Sequence, residues 1–257
     1  MDKVKPGYND GQGWGSLPKI KFPPLLASPP RAQPSGINAS TEICVVCVCV
    51  GPKFPAHYVH RLKKAVAKHL SFEHRFYCIT DREHDFAFIG SGIHVIPPER
   101  PLPGWYSKIN LFNPNNFPRG CRVLYFDLDV VITGSIDDLV MCEEPFIMIR
   151  EFNAKTTAAH NSSVMSWVTH YPAEVYGMPE DWMERSWGDQ ECIWTIMGND
   201  RIWDWPEPWC RSYKYHGRQG PGVPNDCRVM VFHGDPKQDT INAPWIRENW
   251  TDLIKET

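Results

Sequence analysis

The run Ile43–Val50 reads Ile-Cys-Val-Val-Cys-Val-Cys-Val, eight residues with no charge, amide or hydroxyl among them. A strand with one wet face alternates apolar and polar side chains. This one does not alternate, so both of its faces must be covered. That is the position of a parallel strand inside a sheet with helices on either side. Gly51-Pro52 ends the run. Pro55–Leu70 follows, with Val59, Leu62, Val66 and Leu70 at three- and four-residue steps, the spacing of one helix face.

The alternation continues down the chain. Arg75–Thr80 and the shorter Ile93–Ile96 read as strands. Trp105–Phe112 reads as a short helix stopped at Asn113-Pro114. Arg122–Ile132, Pro145–Phe152, Ser162–Val168 and Arg228–Phe232 read as strands, and Asp189–Met197 as a helix ending at Gly198. Strands alternating with helices predict an α/β fold with a mostly parallel central sheet flanked by helices. Ligands of such sheets sit outside the carboxyl ends of the strands.

Residues 1–40 break the pattern. They hold seven prolines, five glycines and no apolar period, with five Lys or Arg against two Asp. They are expected to form a flexible basic arm ahead of a domain over 41–257. The chain's net charge is −3, so the arm's +3 leaves −6 for the domain. That balance argues against a general nucleic-acid or anionic-membrane binder. With 42% hydrophobic and 22% charged residues, the domain can bury a core. The longest apolar run is the eight residues above, whereas a membrane span takes about 20. The N-terminus lacks a charged-then-apolar leader. Nine cysteines are an odd number, and Cys44, Cys47 and Cys49 share one apolar run. They read as reduced core thiols of a cytoplasmic protein. Cys44-x2-Cys47 has zinc-ligand spacing, but no second Cys or His pair answers it.

The segment that carries chemistry is Val123-Leu124-Tyr125-Phe126-Asp127-Leu128-Asp129-Val130-Val131-Ile132. On an extended chain Asp127 and Asp129 face the same side. Two carboxylates in so apolar a run repel each other and lose hydration unless a cation or hydrogen bonds answer them. A hard, oxygen-seeking ion such as Mg²⁺ or Mn²⁺ suits such a pair. A surface pair capping a turn is the plainer alternative. Two enzyme classes carry Asp-x-Asp after an apolar strand. Nucleotide-sugar glycosyltransferases bind metal with it, and haloacid-dehalogenase-type phosphatases use the first Asp as nucleophile. Gly234-Asp235-x3-Asp239 fits the late acidic motif of the phosphatases, and Lys214 their lysine. The phosphatases, however, begin at the pair, and here the strands and helix from Ile43 onward precede it.

Six pieces then come in order: Gly104-Trp105-Tyr106-Ser107-Lys108-Ile109-Asn110-Leu111-Phe112, Arg122 to Asp129, Gly134-Ser135-Ile136-Asp137-Asp138-Leu139, Asn161-Ser162-Ser163-Val164-Met165, Gly188-Asp189-Gln190 and Val231-Phe232-His233-Gly234. Over residues 42–250 this set resembles the GT-A-fold glycosyltransferases. The likeness is strongest to the retaining family 8 type, glycogenin-like and lipopolysaccharide galactosyltransferase-like, with its bacterial and phage relatives. The resemblance implies a Rossmann-like GT-A fold and transfer of a sugar from a nucleotide donor, UDP-linked, with retention of configuration. It implies Asp127, Asp129 and His233 as metal ligands, Asp127 also touching the ribose. Lys237 would reach the donor diphosphate and Lys108 the donor. Asn161, Asp189 and Gln190 would contact the donor sugar, with Asp189 and Gln190 as the catalytic candidates. Val50, Gly51, Lys53 and Tyr58 would meet the base.

The match has departures. The family's lysine stands six residues after the histidine and directly before Pro-Trp. Here Lys237 is four after His233, and Pro244-Trp245 come later. Asn161-Ser162-Ser163 replaces Asn-small-Gly. An Asp/Asp/His set would lean to manganese over magnesium, because imidazole suits Mn²⁺ better. The plainer reading of His233 is a core histidine at a strand end. That of Asp189 is a helix N-cap, with Gln190 in the first turn. Trp203-Asp204-Trp205 reads first as packing and second as an acceptor cleft. Tyr213, His216 and Arg218 are weaker acceptor candidates, and Gly217–Pro224 reads as a loop able to close over donor. The partner expected besides the donor is an acceptor: glycan, lipid-linked sugar, protein or small molecule, with a modified nucleic-acid base disfavoured by the acidic domain. A catalytically inactive sugar-nucleotide-binding protein is the remaining alternative.

Overall fold

The structure is a computed structural model describing residues 41–86, 90–153, 159–217 and 222–254. The arm expected over 1–40, Arg218 and part of the Gly217–Pro224 loop lie outside the described residues.

The elements run β1 (Ile43–Val48), α1 (Ala56–His69), β2 (Arg75–Ile79) and β3 (His94–Ile96). A 3-10 helix, Gly104–Phe112, leads into β4 (Arg122–Phe126) and β5 (Val130–Ile132). Then come α2 (Asp137–Met141), β6 (Phe146–Arg150), β7 (His160–Val168), α3 (Trp182–Arg185) and α4 (Asp189–Met197). The chain closes with β8 (Trp203–Asp204), β9 (Cys210–Ser212), β10 (Val229–Val231) and α5 (Pro244–Asn249).

A seven-stranded sheet is ordered β3-β2-β1-β4-β7-β6-β8. The uniformly apolar β1 lies inside it, parallel to both β2 and β4. On one face, Val59, Leu62 and Val66 of α1 pack with Val45, Cys47 and Leu124. On the other, Ile109, Leu111 and Phe112 of the 3-10 helix and Ile193 of α4 pack with Val46, Val123 and Tyr125. Four of the six pairings are parallel. β7 runs against both of its neighbours. The mostly parallel α/β sheet is therefore the one the sequence predicts. All nine cysteines are unbridged and eight of them are buried. Among the described residues no helix is long and apolar enough to cross a membrane.

The main departure is at Arg122–Ile132, expected as one strand. It is two strands in two sheets. β4 belongs to the large sheet, and β5 to a three-stranded sheet ordered β5-β10-β9. The chain turns at Asp127-Leu128-Asp129. The Asp127 N–H still donates to Ser163 O at 2.8 Å, while Asp129 O accepts from the Phe232 N–H at 2.8 Å. Each end of the turn is captured by a different sheet. The two carboxylates emerge at the seam, and strand alternation does not set where they face. The short helix expected over Trp105–Phe112 is present as the 3-10 helix Gly104–Phe112, ending at Asn113.

Candidate active site

Lys108, on the 3-10 helix, joins two acids from distant parts of the chain. Its Nζ stands 2.9 Å from Asp127 Oδ1 and 3.4 Å from Asp189 Oδ2. It also donates to Ser162 Oγ at 3.1 Å, and Ser162 donates to Asp189 Oδ2 at 2.6 Å. The Tyr125 hydroxyl donates to Asp127 Oδ1. Asp189 opens α4, where the helix dipole favours a negative charge. Burial alone would lower the pKa of the Lys108 ammonium, but the Asp127 and Asp189 carboxylates overcome this and hold it above its usual range. Burial pushes Asp189 up, and Lys108 and Ser162 only partly offset it. Burial and the Asp127 charge also raise Tyr125, which keeps it a donor.

A second cluster lies across the turn. Lys237 Nζ is 2.5 Å from Asp129 Oδ2 and donates to Phe232 O at 3.0 Å. Burial and then the Asp127 charge push the Asp129 pKa up, while Lys237 and Lys108 pull it down. Gly234, at φ +76, makes the left-handed turn that brings Lys237 back over β10. Fully buried Gln238 donates from Nε2 to Leu128 O at 2.9 Å and holds the middle of the turn.

The loop after β1 comes beside this cluster. Lys237 Nζ is 6.0 Å from the Phe54 ring centre. Buried Tyr58 packs edge-on against Trp250, and burial and a hydrogen bond to Asp239 raise its pKa, with the Asp129 charge adding to them. The Gly51 N–H donates to both Asp81 carboxylate oxygens, at 3.0 and 3.1 Å. Val50 is half-buried and Lys53 exposed on the same loop.

The other predicted residues have different partners. His233 Nε2 lies 2.6 Å from Ser212 Oγ, and its ring stacks on Phe152 at 5.5 Å and 5°. Burial, then Lys214 and Lys237, push it down to about 4, so its imidazole is neutral near pH 7. Asn161 Oδ1 accepts from the Ser163 N–H at 2.9 Å within β7. Gln190 hydrogen-bonds the Glu151 carboxylate, whose pKa burial raises. Asp127 and Asp129 are the oxygen donors a hard cation would use. Among the described residues no three His, Cys, Asp or Glu side chains are grouped so as to hold a metal, and this covers both the Asp/Asp/His set and the zinc spacing at Cys44.

Several members of the site escape sequence reasoning. Tyr125 lies two residues before Asp127 on the same strand, and that spacing is the one available signal. Ser162 and Gln238 reveal themselves only through partners 27 and 110 residues away. Trp205, read first as packing, is buried and donates to Val164 O at 3.1 Å. Asp204 pairs with Arg150 at 2.7 Å. Tyr213 stacks on Phe232 at 4.6 Å, and His216 Nδ1 accepts from the Ser212 N–H at 3.2 Å.

No family model matches the sequence, and no curated protein does. Solved structures do match. The galactosyltransferase LgtC, in complex with donor and acceptor sugar analogues, is 16% identical with a TM-score of 0.60, covering 82% of this chain and 94% of its own. A glutamine-to-glutamate active-site mutant of LgtC gives 15% and 0.61 over the same shares of the two chains. The apo glycosyltransferase GlyE of Streptococcus pneumoniae TIGR4 is 14% identical with a TM-score of 0.64, covering 84% of this chain and 61% of its own. This chain therefore has the GT-A fold in which these glycosyltransferases are built.

Proposed function

We propose that this protein is a glycosyltransferase that moves a sugar from a nucleotide donor, UDP-linked, to an acceptor with retention of configuration. The observation that carries the reading is the Asp127-Leu128-Asp129 turn at the seam of the two sheets. Both carboxylates face lysines there, in the fold used by LgtC and GlyE. It lies past the carboxyl end of β4, where ligands of such sheets bind.

In this reading Lys237 and Lys108 meet the negative donor. Lys237 is the more exposed of the two and exchanges Asp129 for a donor phosphate oxygen. Lys108 stays with Asp127 and Asp189 and fixes both. A resident cation, Mn²⁺ or Mg²⁺, fits the two hard carboxylates of Asp127 and Asp129. It would take the charge that Lys237 now answers, and His233 would join it only after leaving Ser212. Such an ion supplies charge stabilisation to the departing diphosphate. The buried Asp189 carboxylate is the group suited to stabilising positive charge at the anomeric carbon, with Gln190 beside it. Val50, Gly51, Lys53 and Tyr58 are proposed to border the base, and Asn161 the donor sugar. A location in the cytoplasm agrees with nine unbridged cysteines.

The phosphatase reading has less support. Asp127 would have to attack phosphorus, yet Tyr125 and Lys108 hold its oxygens. The test is release of UDP from UDP-glucose, UDP-galactose and UDP-N-acetylglucosamine with Mn²⁺ present. Turnover of one of them by the wild type, abolished in Asp129→Asn, is expected. Binding without any turnover would indicate an inactive sugar-nucleotide-binding protein. Hydrolysis of p-nitrophenyl phosphate without UDP release would overturn the transferase reading.

A further inference from the structure

The side chain of Gln238 is completely buried, and only one end of its amide is used. Nε2 donates to Leu128 O at 2.9 Å. Oε1 is buried as well and has no hydrogen-bond partner among the described residues. Turning the amide round does not mend this, because Leu128 O only accepts and would then face Oε1. A buried polar atom left unpaired costs stability, and an apolar side chain of similar length brings no such atom. An amide kept at that cost points to a role for the one bond it makes.

That bond has a particular place. The Asp127 N–H is tied to Ser163 O, and Asp129 O to the Phe232 N–H, so each flank of the turn belongs to a different sheet. Leu128 O, between them, is held by Gln238. Gln238 follows Lys237, whose Nζ reaches Asp129 Oδ2 at 2.5 Å. The Thr240 N–H and hydroxyl both donate to Lys237 O, at 3.1 and 2.8 Å, and close the short 3-10 helix Gln238–Thr240. This segment therefore grips the turn through a neutral, buried bond from Gln238 and an ionic, partly exposed one from Lys237. The ionic bond can be exchanged for an anionic ligand. The buried one is out of a ligand's reach, and it still registers the segment on the turn once Lys237 has left Asp129.

We propose that Gln238 is a positioning residue for donor binding. Its amide holds the Asp127-Leu128-Asp129 turn and the Lys237 segment in one fixed relation, so that the carboxylates and the lysine converge on the donor diphosphate. This rests on the glycosyltransferase reading of the same site.

The test is calorimetric titration of UDP with Mn²⁺ present, beside thermal unfolding, on the full chain as wild type, Gln238→Met and Gln238→Leu. Both replacements leave Leu128 O without its donor but also remove the orphaned Oε1, so their two effects on stability oppose each other. The melting temperature should stay within about 5 °C of the wild type. UDP affinity should fall about 10- to 100-fold in both variants, the usual range when a residue that holds metal-binding groups in place is lost. Unchanged affinity in the variants would overturn the proposal. A fall in affinity that comes with a drop of more than about 5 °C in both variants would overturn it too, because the amide would then be a stabilising contact and nothing more. Absence of UDP binding by the wild type removes the donor reading and this proposal with it, and is told apart by appearing in all three proteins.

Discussion

Lys108 stands 2.9 Å from Asp127 and 3.4 Å from Asp189 with 12% of its side chain exposed. Removing one member of a buried ionic group strands the others. Lys108→Met should therefore lower unfolding stability by about 3–5 kcal/mol in urea titration, and adding Asp189→Asn should recover part of the loss. A change under about 1 kcal/mol would mean that solvent already screens the group. Lys237 behaves differently, because its role is proposed to be contact with donor. Lys237→Ala should weaken UDP binding about 10- to 100-fold, as for a charge-assisted bond worth roughly 1.5–3 kcal/mol, in addition to the stability lost by leaving the buried Asp129 carboxylate without its partner. Unchanged affinity would remove Lys237 from the donor site. The sequence marked Asp127 and Asp129 as a spaced pair in an apolar run, and Lys108, Asp189 and Lys237 through the family resemblance, Lys237 away from the family's spacing. It did not mark Ser162 as the link between Lys108 and Asp189, since that link exists only once β7 and α4 are folded together.

Elements with a strong local period were legible. β1 shows as an unbroken apolar run, α1 as a stripe, and α4 as a turn-bounded helix ending at Gly198. The split between β4 and β5 was hidden. Nothing local breaks the run Val123–Ile132, and the turn is imposed by Ser163 on one side and Phe232 on the other. β8 and β9, two and three residues long, are strands only by virtue of their partners. At this scale the Gly234 turn is the most testable feature. Gly234→Ala meets no atom within 4 Å but must hold φ +76. It should cost about 1–2 kcal/mol of stability and, by shifting Lys237, weaken UDP binding as well. Full retention of both in melting and titration experiments would contradict the role given to that turn.

At the scale of the whole molecule, five imidazoles among the described residues are held below their ordinary pKa: His60, His69, His160, His216 and His233, with burial the leading cause in each. A folded-state value below the unfolded one means that the unfolded chain takes up protons first. The stability these groups contribute is complete above the unfolded value near pH 6.5 and is lost as pH falls through the folded values, down to about 4 for His233. Asp129, Asp189 and Glu151 are raised, and their contribution has the opposite sign: present at acid pH and lost as pH rises through their folded values. The unfolded imidazoles take up protons as pH falls through about 6.5, so the melting temperature should drop between pH 7.5 and 5.5. A flat or rising profile over that range would show that the carboxylates dominate.

In the proposed function the Asp127-Leu128-Asp129 turn and its lysines receive a nucleoside diphosphate. The decisive experiment is calorimetric titration of UDP into wild type and Asp129→Ala, each with Mn²⁺ and with EDTA. Micromolar binding by the wild type with Mn²⁺ is expected, with at least a tenfold loss on removing either the metal or the Asp129 carboxylate. No UDP binding by the wild type in either condition, or equal binding by both proteins, would contradict it.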